Sequence, residues 1–226
     1  FAHRYADTAL PDGRRLLLVP AAQGGSRLLN PGATSGGQGD AAAWHPANGF
    51  SGQADLLAAA VADAGAALAL NPGQNRIVCA WWSGAEQEPL DTFAVSAFQE
   101  ALGQHLIPGL RAELSLPVLP VVVSGSNPAA VPPPWLDAEA ALDQDSGSPV
   151  AVPCALHAPW DTAWGDGTRP APRDTADRVH FSGSANRLRG AQAARDLIDR
   201  LIGLLRLRVI GAEDVISASL IVDGPP

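Results

Sequence analysis

The sequence predicts an α/β domain built on a parallel sheet covered on both faces. Two observations predict it. Short, continuous apolar runs such as Leu16-Leu17-Leu18-Val19 and Val121-Val122-Val123 alternate with long Ala- and Leu-rich amphipathic stretches. Strands buried on both faces read as unbroken apolar runs, and parallel strands need helical crossovers between them.

The elements follow in order. Arg15 to Pro20 reads as a buried strand after the Pro11-Asp12-Gly13 turn. A Gly/Ala/Ser-rich loop then extends to Gly49, long enough to be functional. Ser51 to about Leu70 reads as a helix stopped by Asn71-Pro72-Gly73, and Arg76 to Trp82 as a second buried strand. Phe93 to Leu114 has the pattern of a long helix, which Pro108 kinks or interrupts. Pro117 to Ser124 is a third strand, followed by a Pro-rich loop and a short Asp/Glu/Ala stretch, Trp135 to Asp145. Val150 to Leu156 is a weaker fourth strand. Ser182 or Ser184 caps a final helix to about Leu205, with Leu188, Leu197, Ile198, Leu201, Ile202 and Leu205 on its apolar face. Val215 to Val222 is a further strand candidate, and no internal repeat is visible.

Composition narrows the function classes. The 226 residues are 46% hydrophobic, enough for a substantial core, and only 17% charged. All fifteen basic residues are Arg, and the formal charge is -8, without the basic stripe of a nucleic-acid binder. No run reaches the ~18 apolar residues of a membrane span. Cys79 and Cys154 lie in apolar runs, where buried free thiols are expected. Met is absent, so a chain opening at Phe1 is expected to be a piece of a longer protein. The compartment stays open, with an extracellular, surface or virion setting favoured over the cytoplasm.

In parallel sheets chemistry gathers in loops beyond the carboxyl ends of the strands. Three segments fall there: Ala21 to Ser26, Ser83 to Glu88, and the residues before the last helix. In the last of these, Asp177-Arg178-Val179-His180 spaces a carboxylate to orient an imidazole, leaving its other nitrogen as a general base. The same spacing fits a capping Asp beside a surface His. Gly24-Gly25-Ser26 lets backbone N–H groups approach a ligand, as an oxyanion hole requires, and also fits an ordinary turn. Trp81 and Trp82 precede Ser83-Gly84-Ala85-Glu86. Adjacent strand residues point to opposite faces, so at least one Trp packs in the core while the other is placed to line a cleft. His157 ends the fourth strand near Trp160 and Asp161, either bordering the cleft or satisfied within the fold. The five His are dispersed, and no metal-ligand spacing or phosphate loop is present, so no cofactor is expected.

Taken in order, Phe1-Ala2, the Gly24-Gly25-Ser26 turn, Trp44, the Trp82 strand end and Asp177-x-x-His180-Phe181-Ser182 resemble the SGNH hydrolases. The similarity is to their carbohydrate esterase branch, which includes sialate O-acetylesterases and acetylxylan esterases. It spans roughly residues 1–205, with 206–226 as a C-terminal extension or the start of a following region. The resemblance implies a three-layer α/β/α sandwich with a central parallel, flavodoxin-like sheet. It also implies removal of O-acetyl or similar acyl groups from glycans by a Ser-His-Asp mechanism. His180 would be the base and Asp177 its orienting partner. Gly24 or Gly25 and Ser83 would form the oxyanion hole, with Trp44, Trp82 and His157 on the substrate side. Two departures stand out. The family's Gly-Gln-Ser-Asn nucleophile motif, on a central first strand, is absent, so a missing N-terminal segment or neighbouring chain is expected to complete the sheet. Ser83-Gly84-Ala85 replaces Gln-Gly-Glu. The alternative is a catalytically degenerate glycan-binding or structural module of a larger surface or virion assembly.

Overall fold

A computed structural model describes residues 2–10, 12–21, 28–29, 42–44, 54–83, 93–126, 131–159 and 183–202. Within them the chain is an α/β protein whose centre is a small parallel sheet. The sheet consists of β3 (Ala80–Trp82), β4 (Val121–Ser124) and β5 (Ala155–Ala158), in that spatial order. A separate two-residue parallel pair joins β1 (Ala42–Ala43) to β2 (Ala54–Asp55).

β4 explains the sheet. Val121, Val122 and Val123 are all at most 2% exposed, because β4 is central and both its faces are covered. Their alternation divides the core. Val121 and Val123 join Phe98, Leu102, Ile107, Trp135 and Leu142 on one face. Val122 joins Tyr5, Leu156, Ala193, Ala194 and Leu197 on the other.

The first face is packed by a long helical stretch and by α5 (Pro133–Ala141). The long stretch has three parts: α3 (Val95–Glu100), π-helical turns over Ala101–Leu106, and α4 (Ile107–Glu113). Pro108 is the reason for the middle part. In an α-helix its ring would strike the carbonyl four residues back, that of Gln104, and it has no N–H to donate there. The turns before it widen, and the N–H of Ile107 reaches five residues back to the carbonyl of Leu102. The helix bends its hydrogen bonding without stopping. Phe98, fully buried, meets Trp135 of α5 at a ring separation of 5.5 Å and 56°. Burying a ring of that size contributes about 2–3 kcal/mol. α2 (Leu56–Ala69) sends Leu57 and Val61, one turn apart, to the same core. It begins five residues later than the sequence pattern implies, because Asp55 caps it by accepting from the N–H of Ala58 at 2.9 Å.

The second face carries α1 (Ala2–Ala9) and α6 (Gly183–Asp196), the latter extended by π-helical turns to Ile202. Tyr5 and Ala9, four residues apart, face the buried stripe of α6. Ser184 lies inside α6, one residue past its start. Ser182 and Leu205 lie outside the described residues.

Several expected strands are corrected. Arg15 to Pro20 forms no strand: Leu17, Leu18 and Val19 are 56%, 61% and 38% exposed, and Leu16 alone turns onto the second core. No neighbouring strand holds this run among the described residues, so its apolar pattern is not enough to make it a sheet member. The second strand shortens to Ala80–Trp82, and the third begins at Val121. Pro117 and Pro120 have no N–H for a ladder, and the Pro120 carbonyl accepts from Ala80 N at 2.9 Å as pairing starts. The fourth strand shifts from 150–156 to 155–158, because Pro153 lacks a donor and Cys154 takes a left-handed φ of 57°. Both cysteines are free, as expected, but each is only partly buried rather than fully so; the desolvation of Cys79 still pushes its thiol up to about 12.

Candidate functional site at the carboxyl ends of the strands

The parallel register sets one end of the sheet apart. Trp82 pairs with Val123, and Val123 with His157, so the three form a row across the sheet near the strand ends. Register partners share a face, and Val123 faces the α3–α5 side; Trp82 and His157 do the same. The row spans about 10 Å, two strand spacings.

Trp82 is half-buried, and Trp44 meets it edge to face at 5.6 Å and 89°. Trp81, on the opposite face, is 43% exposed. One Trp packs in the core, as the alternation of side chains requires. The indole Nε1 of Trp82 and the Nε2 of His157 are both shielded from solvent and have no hydrogen-bond partner among the described residues. The backbone N–H of His157 donates to Asp143 Oδ2 at 2.6 Å. Burial outweighs the nearby Asp143 carboxylate and, with the Arg200 charge, lowers His157 to about 4, so its imidazole is neutral at pH 7.

Beyond the row, the strand ends are tied by one buried cation. Arg189 of α6 is 7% exposed. Its Nη2 donates to Ser83 Oγ at 3.0 Å and to the carbonyl of Gly125 at 3.1 Å. The Gly125 N–H donates in turn to the carbonyl of Ala158 at 2.8 Å. One network therefore joins the carboxyl ends of β3, β4 and β5. Ser83 itself is exposed at the top of this network.

A second polar feature lies below. Glu139 of α5, fully buried, accepts from Ser126 N at 2.9 Å and from Ser126 Oγ at 2.5 Å. Ser126 is itself 0% exposed, so its hydroxyl is closed to a substrate. A cavity of about 250 Å³ bounded by Gln99, Gly103, Pro108, Arg111 and Val152 lies at the opposite, amino end of the sheet. There Arg111 ties Leu119 and Pro153 together through their carbonyls at 2.9 and 2.7 Å.

Of the residues singled out in the sequence, Ser83, Trp44, Trp82 and His157 are brought to one end of the sheet. Gly24, Gly25, Ser26, Asp177 and His180 lie outside the described residues. Sequence reasoning missed Arg189. Its signal was present: Arg189, Ala193 and Leu197 recur every four residues on the buried stripe of α6, and a cation there demands acceptors. No group of three or more metal-ligating side chains occurs among the described residues. None of their helices is long and apolar enough to cross a membrane. No protein-family model, curated protein or solved structure matches the chain.

Proposed function

We propose that this chain is an SGNH-type carbohydrate esterase domain that removes O-acetyl or similar acyl groups from glycans. The observation that carries the reading is the Arg189 bridge to Ser83 and Gly125, which anchors α6 at the carboxyl ends of the strands. α6 starts six residues earlier, about 9 Å of helix. Asp177 and His180 precede that start directly in sequence. A general base entering there would reach the end of the sheet where Ser83 is exposed.

In this reading the fold is a three-layer α/β/α sandwich with a flavodoxin-like strand order. One further strand, from a segment not in this chain or from a neighbouring chain, lies between Leu16–Val19 and β3 and brings the nucleophilic Ser. Support comes from β3 being one of the two outer strands of the three-stranded sheet among the described residues and from the exposed Leu17, Leu18 and Val19. His180 takes the Ser proton as the oxygen attacks the acyl carbon, and Asp177 stabilises the imidazolium. The Gly24 or Gly25 N–H and the Ser83 hydroxyl donate hydrogen bonds to the developing oxyanion. His180 then protonates the departing sugar hydroxyl, and water releases the acyl group from Ser. Trp44, Trp82 and His157 support the glycan side from beneath, since Trp82 packs on the core and the Nε2 of His157 is shielded from solvent.

A second reading, a glycan-binding or structural module, is favoured by Ser83 standing where the resembled family carries the longer Gln. The test is acetate release from O-acetylated xylan and O-acetylated sialic acid by the full-length protein. Release from either supports the esterase. Binding of the glycans without release supports the module.

A further inference from the structure

We infer that Arg189 is a positioning residue that makes Ser83 an outward-facing hydrogen-bond donor for a carbonyl or carboxylate oxygen. The inference rests on the esterase reading for its substrate, an acyl ester, but the donor pair is argued from geometry alone.

A guanidinium can only donate, so at 3.0 Å the Ser83 oxygen must be the acceptor. A hydroxyl that accepts through a lone pair keeps its one hydrogen for a different direction. The second hydrogen of the same Nη2 is engaged by the Gly125 carbonyl, 3.1 Å away, which prevents the guanidinium from turning off Ser83. Arg189 is buried and Ser83 is an exposed residue, so the charge lies beneath a serine at the surface, and the hydrogen that Arg189 leaves unused is available on the solvent side. A cation donating to a hydroxyl oxygen draws electron density from it and strengthens the bond that its hydrogen makes. Ser is shorter than Gln, and a charge-assisted Ser compensates for reach with strength. Ser83 and Arg189 are 106 residues apart, so only the fold brings this pair together.

The pair is tested in the full-length protein with Ser83→Ala, Arg189→Met, Arg189→Lys and the Ser83→Ala/Arg189→Met double variant. Two readouts are used. The first is 4-nitrophenyl acetate turnover; the second is acetate titration followed by the fluorescence of Trp81 and Trp82, which adjoin Ser83. We expect kcat to fall about 10²-fold in Ser83→Ala and by a similar factor in Arg189→Met, with KM little changed. The double variant falls no further than the worse single one, and Arg189→Lys recovers part of the loss. Acetate binding weakens about tenfold in Ser83→Ala and Arg189→Met. Wild-type turnover at background, with acetate binding that depends on both residues, removes the esterase reading and leaves the donor pair standing. Unchanged acetate affinity in Ser83→Ala, no acetate response in the wild type, or single effects that multiply in the double variant would overturn the inference. If Arg189→Met does not fold, Ser83→Ala and Arg189→Lys decide by the acetate criterion.

Discussion

Arg200, in the π-helical turns that extend α6, grips Asp143, in the turn after α5, with both of its terminal nitrogens. Nη1 lies 2.8 Å from Oδ2, and Nη2 lies 2.5 Å from Oδ1. The Asp143 side chain is 10% exposed and also accepts the backbone N–H of His157, so one carboxylate fastens α6 and its extension to β5. Burial alone pushes the Asp143 carboxyl up. The Arg200 hydrogen bonds, the N–H groups of His157 and Asp145 and the Arg200 charge outweigh it and hold the group below its ordinary value.

Asp143→Asn keeps the size of the side chain but removes the charge that Arg200 grips. We expect a loss of about 1–3 kcal/mol at pH 7, read by urea unfolding. Because the folded carboxyl is held low, its contribution is present above the ordinary carboxylate value. It disappears as pH falls below ~4 through the lowered value. The Asp143→Asn variant at pH 7 and the wild type at pH 3 should therefore be weakened in the same direction, and the difference between variant and wild type should shrink in acid.

His157 gives a different pH window. Its folded value of about 4 lies below the ordinary ~6.5, so the unfolded chain takes up a proton that the folded chain refuses. Stability contributed by the neutral imidazole is full above ~6.5 and is lost as pH falls toward 4. Between pH 7 and 5 this removes on the order of 1–2 kcal/mol. His157→Gln should flatten that slope, measured as urea midpoints at the two pH values.

Glu139 is the buried acceptor for both the N–H and the hydroxyl of Ser126. Glu139→Leu leaves two buried donors without that acceptor and should cost about 2–4 kcal/mol. Glu139→Gln, which retains an acceptor, should cost less. Thermal unfolding of the two variants distinguishes them.

Gly103 sits where the helix passes closest to the turn after α5. A Cβ there would come within 2.9 Å of Leu142 Cδ2 and 3.3 Å of Val152 Cγ2. Leu142 is fully buried and has little room to retreat. Ala gains up to ~1 kcal/mol of helix propensity, whereas overpacking costs about 1–3 kcal/mol. Gly103→Ala should therefore be destabilising by roughly 1 kcal/mol in urea unfolding, and Gly103→Val by more.

The parts of the fold that are legible in the sequence are those fixed by local periodicity. The Val121–Val123 run announces a strand covered on both faces, and adjacent Trp81 and Trp82 announce one exposed and one packed ring. Pro108 marks the irregular turn of the long helix. Where an apolar run needs a partner to become a strand, periodicity fails: Leu16 to Val19 has the pattern but no neighbour among the described residues. Pro120 and Pro153 trim their strands because a ladder needs N–H donors, a constraint that an apolar count overlooks. At the candidate site the sequence points to Ser83, Trp82 and His157 separately. It does not show that Arg189 and Arg200 bind Ser83 and Asp143, since contacts across 106 and 57 residues depend on how helices cross the sheet. The Arg on the buried stripe of α6 was the one local sign.

The most direct test of the esterase reading is 4-nitrophenyl acetate hydrolysis by the full-length protein beside its His180→Ala variant. We predict turnover well above background in the wild type and a loss of about 10³-fold or more in the variant, as expected when a general base is removed from a Ser-His-Asp site. Equal rates in the two proteins would contradict a role for His180 in ester cleavage and leave glycan recognition as the function of this fold.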